Sequence, residues 1–496
     1  MKILLASSEV VPFAKTGGLA DVCGALPTEI QKLGHDVVVF MPAYRVALQS
    51  GQEIMETDIH LSIPVGSKMV EGSLLKSRLP NSNVVVYLVH QPDYFDRDGL
   101  YQVDGEDYKD NCERFVFFCR FILESLEHLD WFPDVLHCND WQTGLLPAYL
   151  KTVYAKDPRF QSVASLMTIH NLAYQGNFWH WDMLITGIDW QYFNWQQMEF
   201  YGRLNLLKTG IVFADSLSTV SPSYALEIQT KDQGHGLDTI LRERAEDLTG
   251  ILNGIDTTVW NPASDPHLAM SYSVADWQQN KPLCKSDLQS TFGLDPLKDR
   301  PLIGIVGRIA AQKGWSLIIE VARQWLAAGK PVQWAILGTG DHQLENKLTQ
   351  LAKTAPTTMA VRLEFSNELA HKVEAGADIF LMPSRFEPCG LNQQYSMQYG
   401  TVPVVHETGG LADTVINLTP ESKAAGTANG FSFSGFHAHQ LEASAARAVD
   451  AYHQTETWQQ LVETGMKHDW SWAASARSYE STYRATHQKR LRPQSA

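Results

Sequence analysis

Short runs of Val, Ile and Leu recur along the chain without the strict alternation of a strand that faces water on one side: "KILLAS" (2–7), "DVVVFMPA" (36–43), "NVVVYLVH" (83–90), "DVLHCND" (134–140), "SLMTIHN" (165–171) and "DSLSTVS" (215–221). Such runs predict strands covered on both faces, as in a parallel sheet flanked by helices. The segments between them carry a different period. In "ERFVFFCRFILESLEHL" (113–129), Phe118, Ile122, Leu126 and Leu129 recur at helical spacing, which predicts a helix packed on that sheet. A second series begins near residue 300 with "PLIGIVGR" (301–308), "PVQWAILGTG" (331–340), "VRLEF" (361–365), "DIFLMPS" (378–384) and "VPVVHETGG" (402–410), separated by helical stretches at 316–329 and 393–400. The fold class is therefore α/β, with two units in succession. The hinge is expected near "LTGILNG" (248–254), giving domains 1–249 and 250–472, and the polar stretch 261–287 reads as a surface excursion at the start of the second.

Composition narrows the function classes. With 496 residues and 44% hydrophobic content the chain can bury large cores. A net charge of -15 disfavours nucleic acid or an anionic membrane as the main partner, and leaves room for a local basic pocket. Six scattered cysteines without a CxxC pair suit reduced thiols. The opening "MKILLASSEV" has too short an apolar run for a signal peptide and reads as a first strand, and no apolar stretch is long enough to span a membrane. A cytoplasmic protein is expected.

The string Thr-Gly-Gly-Leu-Ala-Asp occurs twice, at 16–21 after Lys15 and at 408–413 after Glu407. Each copy follows a predicted strand and opens a predicted helix. Paired glycines let a ligand approach the backbone closely, and free amides at a helix start attract anions. Two such helix starts facing one another across a cleft between domains would clamp a phosphate-bearing ligand; the plainer alternative is a tight strand-to-helix turn. Lys15 adds a cation to the first copy alone, and is expected to meet phosphate or the reacting sugar.

Arg308 and Lys313 in "VGRIAAQKG" (306–314) stand between a strand end and a helix start, where ligands of open α/β sheets bind. A guanidinium fork and a point charge suit a diphosphate leaving group, although solvated loop charges would look the same. In "PSRFEPCGLNQQYSMQYG" (383–400), Glu387 lies at a strand's C-terminal end beside a helix that starts near Leu391. Its negative charge would stabilise an oxocarbenium-like transition state, or else cap the helix.

"KTGGLADV", "HCNDWQTGLLPAYL" (137–150), "TIHNLAYQG" (168–176), "GILNGID" (250–256), "VGRIAAQKG", "SRFEPCGLNQ" and "TGGLADTV" follow one another in the order seen in bacterial glycogen synthases and plant starch synthases, and the chain resembles that family from Lys2 to about Tyr483. The resemblance implies two Rossmann-like doubly wound domains facing an interdomain cleft (the GT-B arrangement), with a C-terminal helix, 473–496, crossing back to the first. It implies transfer of glucose from ADP-glucose, or UDP-glucose in some relatives, to the nonreducing 4-OH of an α-1,4-glucan such as glycogen, with retention and with neither metal nor cofactor. It places Lys15, Gly17, Gly18, Arg308 and Lys313 on the diphosphate, helped by Thr408, Gly409 and Gly410. It sets His170, Asn171, Asn253, Glu387, Cys389 and Gly390, with Leu391, around the glucose, and makes Glu9, Asp21, Asp140 and Trp141 supporting residues of the cleft. Catalytic roles fall on Glu387, Lys15, Arg308, Lys313 and His170.

The chain departs from the family at several points. Phe365-Ser366 stands where many members have Gly-Tyr, Asn392 where Thr is common, and Gln142 where His is frequent. Tyr395 occupies the position of the second Glu in the Glu-x7-Glu pattern of a neighbouring retaining family. The "DRDG" turn (96–99) reads as solvated, and the histidines show no zinc spacing, so no metal site is assigned. The tryptophans of "NFWHWDM" (177–183) and "DWQYFNW" (189–195) read either as glucan-stacking rings or as core. The alternatives to a glycogen synthase are a related glucosyltransferase with UDP-glucose or a small acceptor, and a catalytically silent glucan-binding protein.

Overall fold

The apolar runs of the N-terminal half become one nine-stranded sheet in the computed structural model, which describes residues 1–492. The strands are β1 (Lys2–Ala6), β2 (Asp36–Pro42), β3 (Met55–Val65), β4 (Lys68–Arg78), β5 (Val85–His90), β6 (Val135–Asn139), β7 (Ala164–Ile169), β8 (Ser216–Thr219) and β9 (Leu248–Gly250). They lie in the order β9-β8-β7-β6-β1-β2-β5-β4-β3. All neighbours run parallel except β3 with β4 and β4 with β5. Every residue of β6 and β7 is buried, as unalternating runs require. The β3–β4 hairpin is absent from those runs because much of it faces solvent.

Two helices, α1 (Gly18–Lys32) and α2 (Asn111–His128), belong to this layer. The chain separates into two compact units, residues 1–253 with the segment from Trp472 onward, and Gly254–Ser471. The stretch expected as a hinge is therefore a strand over its first three residues, β9, hydrogen-bonded to β8.

The second unit holds six parallel strands: β10 (Leu302–Val306), β11 (Gln333–Leu337), β12 (Met359–Arg362), β13 (Ile379–Met382), β14 (Val402–His406) and β15 (Phe431–Phe433). Their order is β12-β11-β10-β13-β14-β15, so the direction of winding reverses between β10 and β13. Side chains alternate between two cores: Ile303 and Ile305 pack with Trp315, Ile318 and Val321, and Leu302 packs on the other face with Leu288 and Val373. The helices concerned are α3 (Trp277–Phe292), α4 (Trp315–Ala327) and α5 (Asn367–Gly376); α6 (Asn392–Gln398) and α7 (Gly409–Thr414) follow β13 and β14.

The segment 261–287 is not a surface excursion. Tyr272 is buried, and α3 carries two buried lysines. Lys281 Nζ donates to the carbonyls of Ala375 and Tyr399 and to Thr401 Oγ1, and burial pushes its pKa down to about 8. Asp265 accepts from the Tyr399 hydroxyl and lies 2.6 Å from His371 Nδ1. Polar side chains that satisfy one another inside the fold have the same composition as a solvated loop.

The last helix, α8 (Trp472–Leu491), returns to the first unit and packs on α1, β6 and β7. The Tyr483 hydroxyl lies 2.9 Å from His137 Nδ1, and Glu480 lies 3.2 Å from His35 Nε2. Residues 493–496 of the expected helix 473–496 lie outside the described residues. Among the described residues no helix is long and apolar enough to cross a membrane.

Candidate functional site

In the second unit the winding reversal puts two loops side by side beyond the C-terminal ends of β10 and β13, where open α/β sheets bind ligands. The β10 loop carries Arg308 and Lys313, and the β13 loop carries Ser384 to Cys389. Backbone and side chain tie the loops together. Arg385 N–H donates to Gln312 O (2.8 Å), Gln312 Nε2 donates to Phe386 O (3.1 Å), and Trp315 Nε1 donates to Arg308 O (2.9 Å). With the loops fixed, Lys313 Nζ sits 2.5 Å from Glu387 Oε2, which also accepts from Ser384 Oγ at 2.9 Å. Glu387 is buried, Arg308 is exposed, and both line a cavity of about 220 Å³ together with Lys313, Gly390 and Leu391. A buried carboxylate facing a cation, with an exposed guanidinium at the rim, can hold an anionic leaving group beside a carbon that gains positive charge.

The second Thr-Gly-Gly string backs this loop. Thr408 precedes α7, and Gly410 N–H donates to Glu387 O at 3.1 Å. A Cβ at Gly409 would fall 2.1 Å from Glu387 O, and one at Gly410 would fall 2.2 Å from Cys389 O. Gly409 also has φ +44, a region that disfavours side chains. Cys389, the last residue of that loop, is buried. Asn392 donates to Val306 O at 2.9 Å, bracing α6 on β10, and Tyr395 stacks on Trp260 with ring centroids 3.8 Å apart.

In the first unit the corresponding edge carries the loops after β1, β6 and β7. Gly17 precedes α1, and beyond the adjoining residues and the helix's own backbone no atom of the described residues lies within 4 Å of a Cβ built at Gly17 or Gly18. Buried Glu9 accepts from the amides of Thr16 and Gly17 and from the Thr16 hydroxyl, and its carboxylate lies 2.8 Å from the Tyr101 hydroxyl. The amides of Thr16 and Gly17, just ahead of α1, are thus engaged by a side chain of the same unit. Lys15 Nζ, half exposed, pairs with Asp21 at 2.7 Å.

Asp140 and His170 meet beyond β6 and β7. Asp140 Oδ1 accepts from His170 N–H at 2.7 Å, and His170 Nε2 donates to Asn139 Oδ1 at 2.8 Å. Burial holds the imidazole neutral, pushing its pKa down to about 3. Burial raises the Asp140 carboxyl to about 7, against backbone hydrogen bonds from His170 and Asn171 and with a smaller push from Glu9. Asp140 also has φ 56 and ψ -175, a conformation costly for any residue but glycine, which fixes the loop. Asn171 Oδ1 accepts from Ala173 N–H at 3.0 Å, and Asn253 is buried at the end of the first unit.

Trp141 adjoins these groups through Tyr101, with ring centroids 6.2 Å apart. Its ring packs on Phe115 and Phe178 and fills the space over Gly176, as a core residue does. Phe365 is 92% exposed, while Ser366 caps α5 by accepting from Leu369 N–H. "DRDG" is a turn pinned by Arg45, which donates to Asp96 and Asp98.

Four residues at these sites escaped the sequence reading: Ser384 and Gln312 beside Glu387, Tyr101 beside Glu9, and Asn139 beside His170. Asn139 and Ser384 had a signal, since both sit at strand ends inside quoted motifs. Tyr101 had none, because its contact with Glu9 spans more than ninety residues of a turn-rich stretch.

Known proteins share this organisation. A family model for the starch synthase catalytic domain matches residues 2–243, and one for glycosyl transferases group 1 matches residues 290–466. A glycogen synthase of Rhodopirellula baltica is 46% identical over 98% of each chain, and one of Syntrophotalea carbinolica is likewise 46% identical over 98% of each. The catalytic domain of starch synthase IV from Arabidopsis thaliana, solved with ADP and acarbose, is similar with TM-score 0.88 and 30% identity over 98% of this chain and 99% of that one. A two-domain α/β glycosyltransferase fold, with cations and a carboxylate at the strand ends of its second unit and whole-length relatives of one kind, admits one assignment: the chain belongs to the glycogen synthase and starch synthase family.

Proposed function

We propose that the protein is a glycogen synthase that transfers glucose from ADP-glucose to the nonreducing 4-OH of an α-1,4-glucan with retention at the anomeric carbon. The observation that carries this reading is the whole-length likeness to glycogen synthases, and it is supported by the ADP and acarbose held by the starch synthase relative. In the second unit, Arg308 and Lys313 take the diphosphate, and the Glu387 carboxylate lies against the glucose. Cys389, Gly390 and Leu391 shape that wall, and Thr408, Gly409 and Gly410 hold it in place. In the first unit, Lys15 offers its ammonium to an anion, Gly17 and Gly18 leave room for it, and Asp21 aims Lys15. Glu9 orders the loop, and neutral His170, fixed by Asn139 and Asp140, accepts a hydrogen bond at Nδ1 from a sugar hydroxyl, with Asn171 beside it. Asn253 and Trp141 support this wall from within the unit.

In the transfer, the bond between the anomeric carbon and the β-phosphate oxygen breaks as the acceptor oxygen bonds to the same face of that carbon. The departing phosphate oxygen takes the acceptor's proton, and ADP leaves. Cations matched to the charge that develops on the diphosphate lower this barrier.

Labelled ADP-glucose and UDP-glucose, each offered with glycogen and with glucose 6-phosphate, test the reading. Label from ADP-glucose should enter glycogen and be released by an α-specific glucosidase. Incorporation into the small acceptor alone, or from neither donor, would refute it.

A further inference from the structure

Two residues beyond β13, Ser384 is 1% exposed and lies against Glu387. Its backbone is held from two sides. On one, the N–H of the next residue, Arg385, donates to Gln312 O in the β10 loop at 2.8 Å. On the other, Ser384 O accepts from Nδ1 of His406, the last residue of β14, at 2.8 Å. A carbonyl cannot donate, so His406 carries a proton on Nδ1. The imidazole is itself wedged in place, with its centroid 5.4 Å from that of Phe433 and 5.7 Å from that of Phe436, and the Arg385 guanidinium lies 4.6 Å from the centre of the Phe436 ring. With the backbone fixed, the Ser384 side chain has only its own rotamer left to choose, and its hydroxyl donates to Glu387 Oε2 at 2.9 Å.

The Glu387 carboxylate is held unevenly. Lys313 Nζ and Ser384 Oγ both donate to Oε2, whereas Oε1 accepts from none of the described residues. The last torsion of a glutamate is broad and roughly two-fold, so nothing within the side chain decides where each oxygen lies. The donors decide it, and they differ in kind. Lys313 is a point charge on a flexible stem that an incoming diphosphate draws toward itself, while Ser384 is neutral, short and buried. Once Lys313 turns to the diphosphate, Ser384 is the donor that keeps Oε2 in place. A charge stabilises a transition state only where it is already aimed, so the partner that stays put matters at the moment of transfer.

We propose that Ser384, braced by His406, is a positioning residue for the transfer: it pins Oε2 of Glu387 and so keeps Oε1 toward the glucose while Lys313 attends to the diphosphate. The proposal rests on the reading of Glu387 as the carboxylate beside the transferred sugar. It predicts that Ser384 governs the rate of transfer and leaves the binding of the donor alone.

The test uses the full chain with Ser384→Ala, Glu387→Ala and the double substitution, each checked by its melting curve. In labelled-glucose assays Ser384→Ala should lower kcat roughly 10- to 100-fold, as loss of a hydrogen bond to a charged group implies, with KM for ADP-glucose and Kd for ADP within about twofold of the parent. In the Glu387→Ala background the same substitution should lower the rate no further, because a residue that acts through another is silent once that other is gone. His406→Ala, which frees the Ser384 carbonyl, should give a smaller loss of kcat that vanishes in the same background. Should Ser384→Ala fail to fold, Ser384→Cys, which keeps the size and donates only weakly, enters the same cycle. Crystals of the parent and of Ser384→Ala with ADP read the positioning without turnover: the carboxylate should keep its place in the parent and turn about its last torsion in the variant. A kcat near that of the parent, a loss that persists in the Glu387→Ala background, a matching rise in Kd for ADP, or an unmoved carboxylate in the variant would each overturn the positioning role. A parent that transfers no glucose, with a carboxylate that still turns in Ser384→Ala, would overturn the proposed function and leave the positioning standing.

Discussion

The two Thr-Gly-Gly-Leu-Ala-Asp strings are identical in letters and opposite in use. Around Gly17 and Gly18 there is open space, and the loop is held from behind by Glu9. Around Gly409 and Gly410 there is none, because the backbone of Glu387 to Cys389 occupies the place of any side chain. The first pair of glycines leaves room for something outside the loop, and the second lets one loop of the same unit rest on another. A repeated motif therefore records a shared local geometry, a strand passing into a helix, and leaves its neighbours to decide what the glycines are for.

The largest effect is expected at the residue the second string supports. Glu387→Gln should lower transfer on the order of 100- to 1000-fold in a labelled-glucose assay with little change in melting temperature. A rate near that of the parent would mean that the loop is braced for some other purpose. Gly410→Ala comes next. Its new methyl group would overlap the Cys389 carbonyl, so urea unfolding should show a loss of about 1–3 kcal/mol, with transfer reduced as the Glu387 loop shifts.

A third effect lies in the same unit as the first string, at Asp140. Its carboxyl titrates at about 7 in the folded protein and near 3.9 when unfolded. Between those values the folded state keeps a proton that the unfolded chain has released, so this group makes stability fall as pH rises from about 4 to about 7. His170, pushed down to about 3, works the other way: the unfolded chain binds the proton first, and its contribution makes stability rise from about 3 to about 6.5. Asp140→Asn removes the first slope alone. Its stability relative to the parent should be greater at pH 8 than at pH 5, by roughly 2–3 kcal/mol, in urea titrations at the two values. An unchanged difference would place the Asp140 proton elsewhere. Gly18→Ala should have the smallest effect on the fold, within about 0.5 kcal/mol, while raising KM for ADP-glucose. A stability loss as large as that of Gly410→Ala would erase the contrast between the strings.

Much of the fold could be read from the chain because parallel strands buried on both faces have to be continuous apolar runs, as β1, β6, β7 and β10 are. Strands β3 and β4 were not legible, since a long hairpin with a wet face mixes polar and apolar letters. The interior of 261–287 was misread for a related reason: Asp265, Lys281 and Tyr272 are buried by satisfying polar partners, and composition does not distinguish that from solvation. At the site, motif letters indicated that Glu387 follows a strand. They did not indicate that Lys313 and Ser384 share one of its oxygens, because that depends on how β10 and β13 come to be neighbours. Likewise the engagement of the Gly17 amide by Glu9 is a matter of loop folding that no spacing rule encodes.

The return of α8 to the first unit has a consequence for synthesis. The helix that covers β6 and β7 and meets His137 is translated only after the whole of Gly254–Ser471. On the ribosome, then, the later-born unit can finish its core while the earlier one still waits with an uncovered sheet face, and a chaperone or a stalled polysome would meet the protein with its oldest half incomplete.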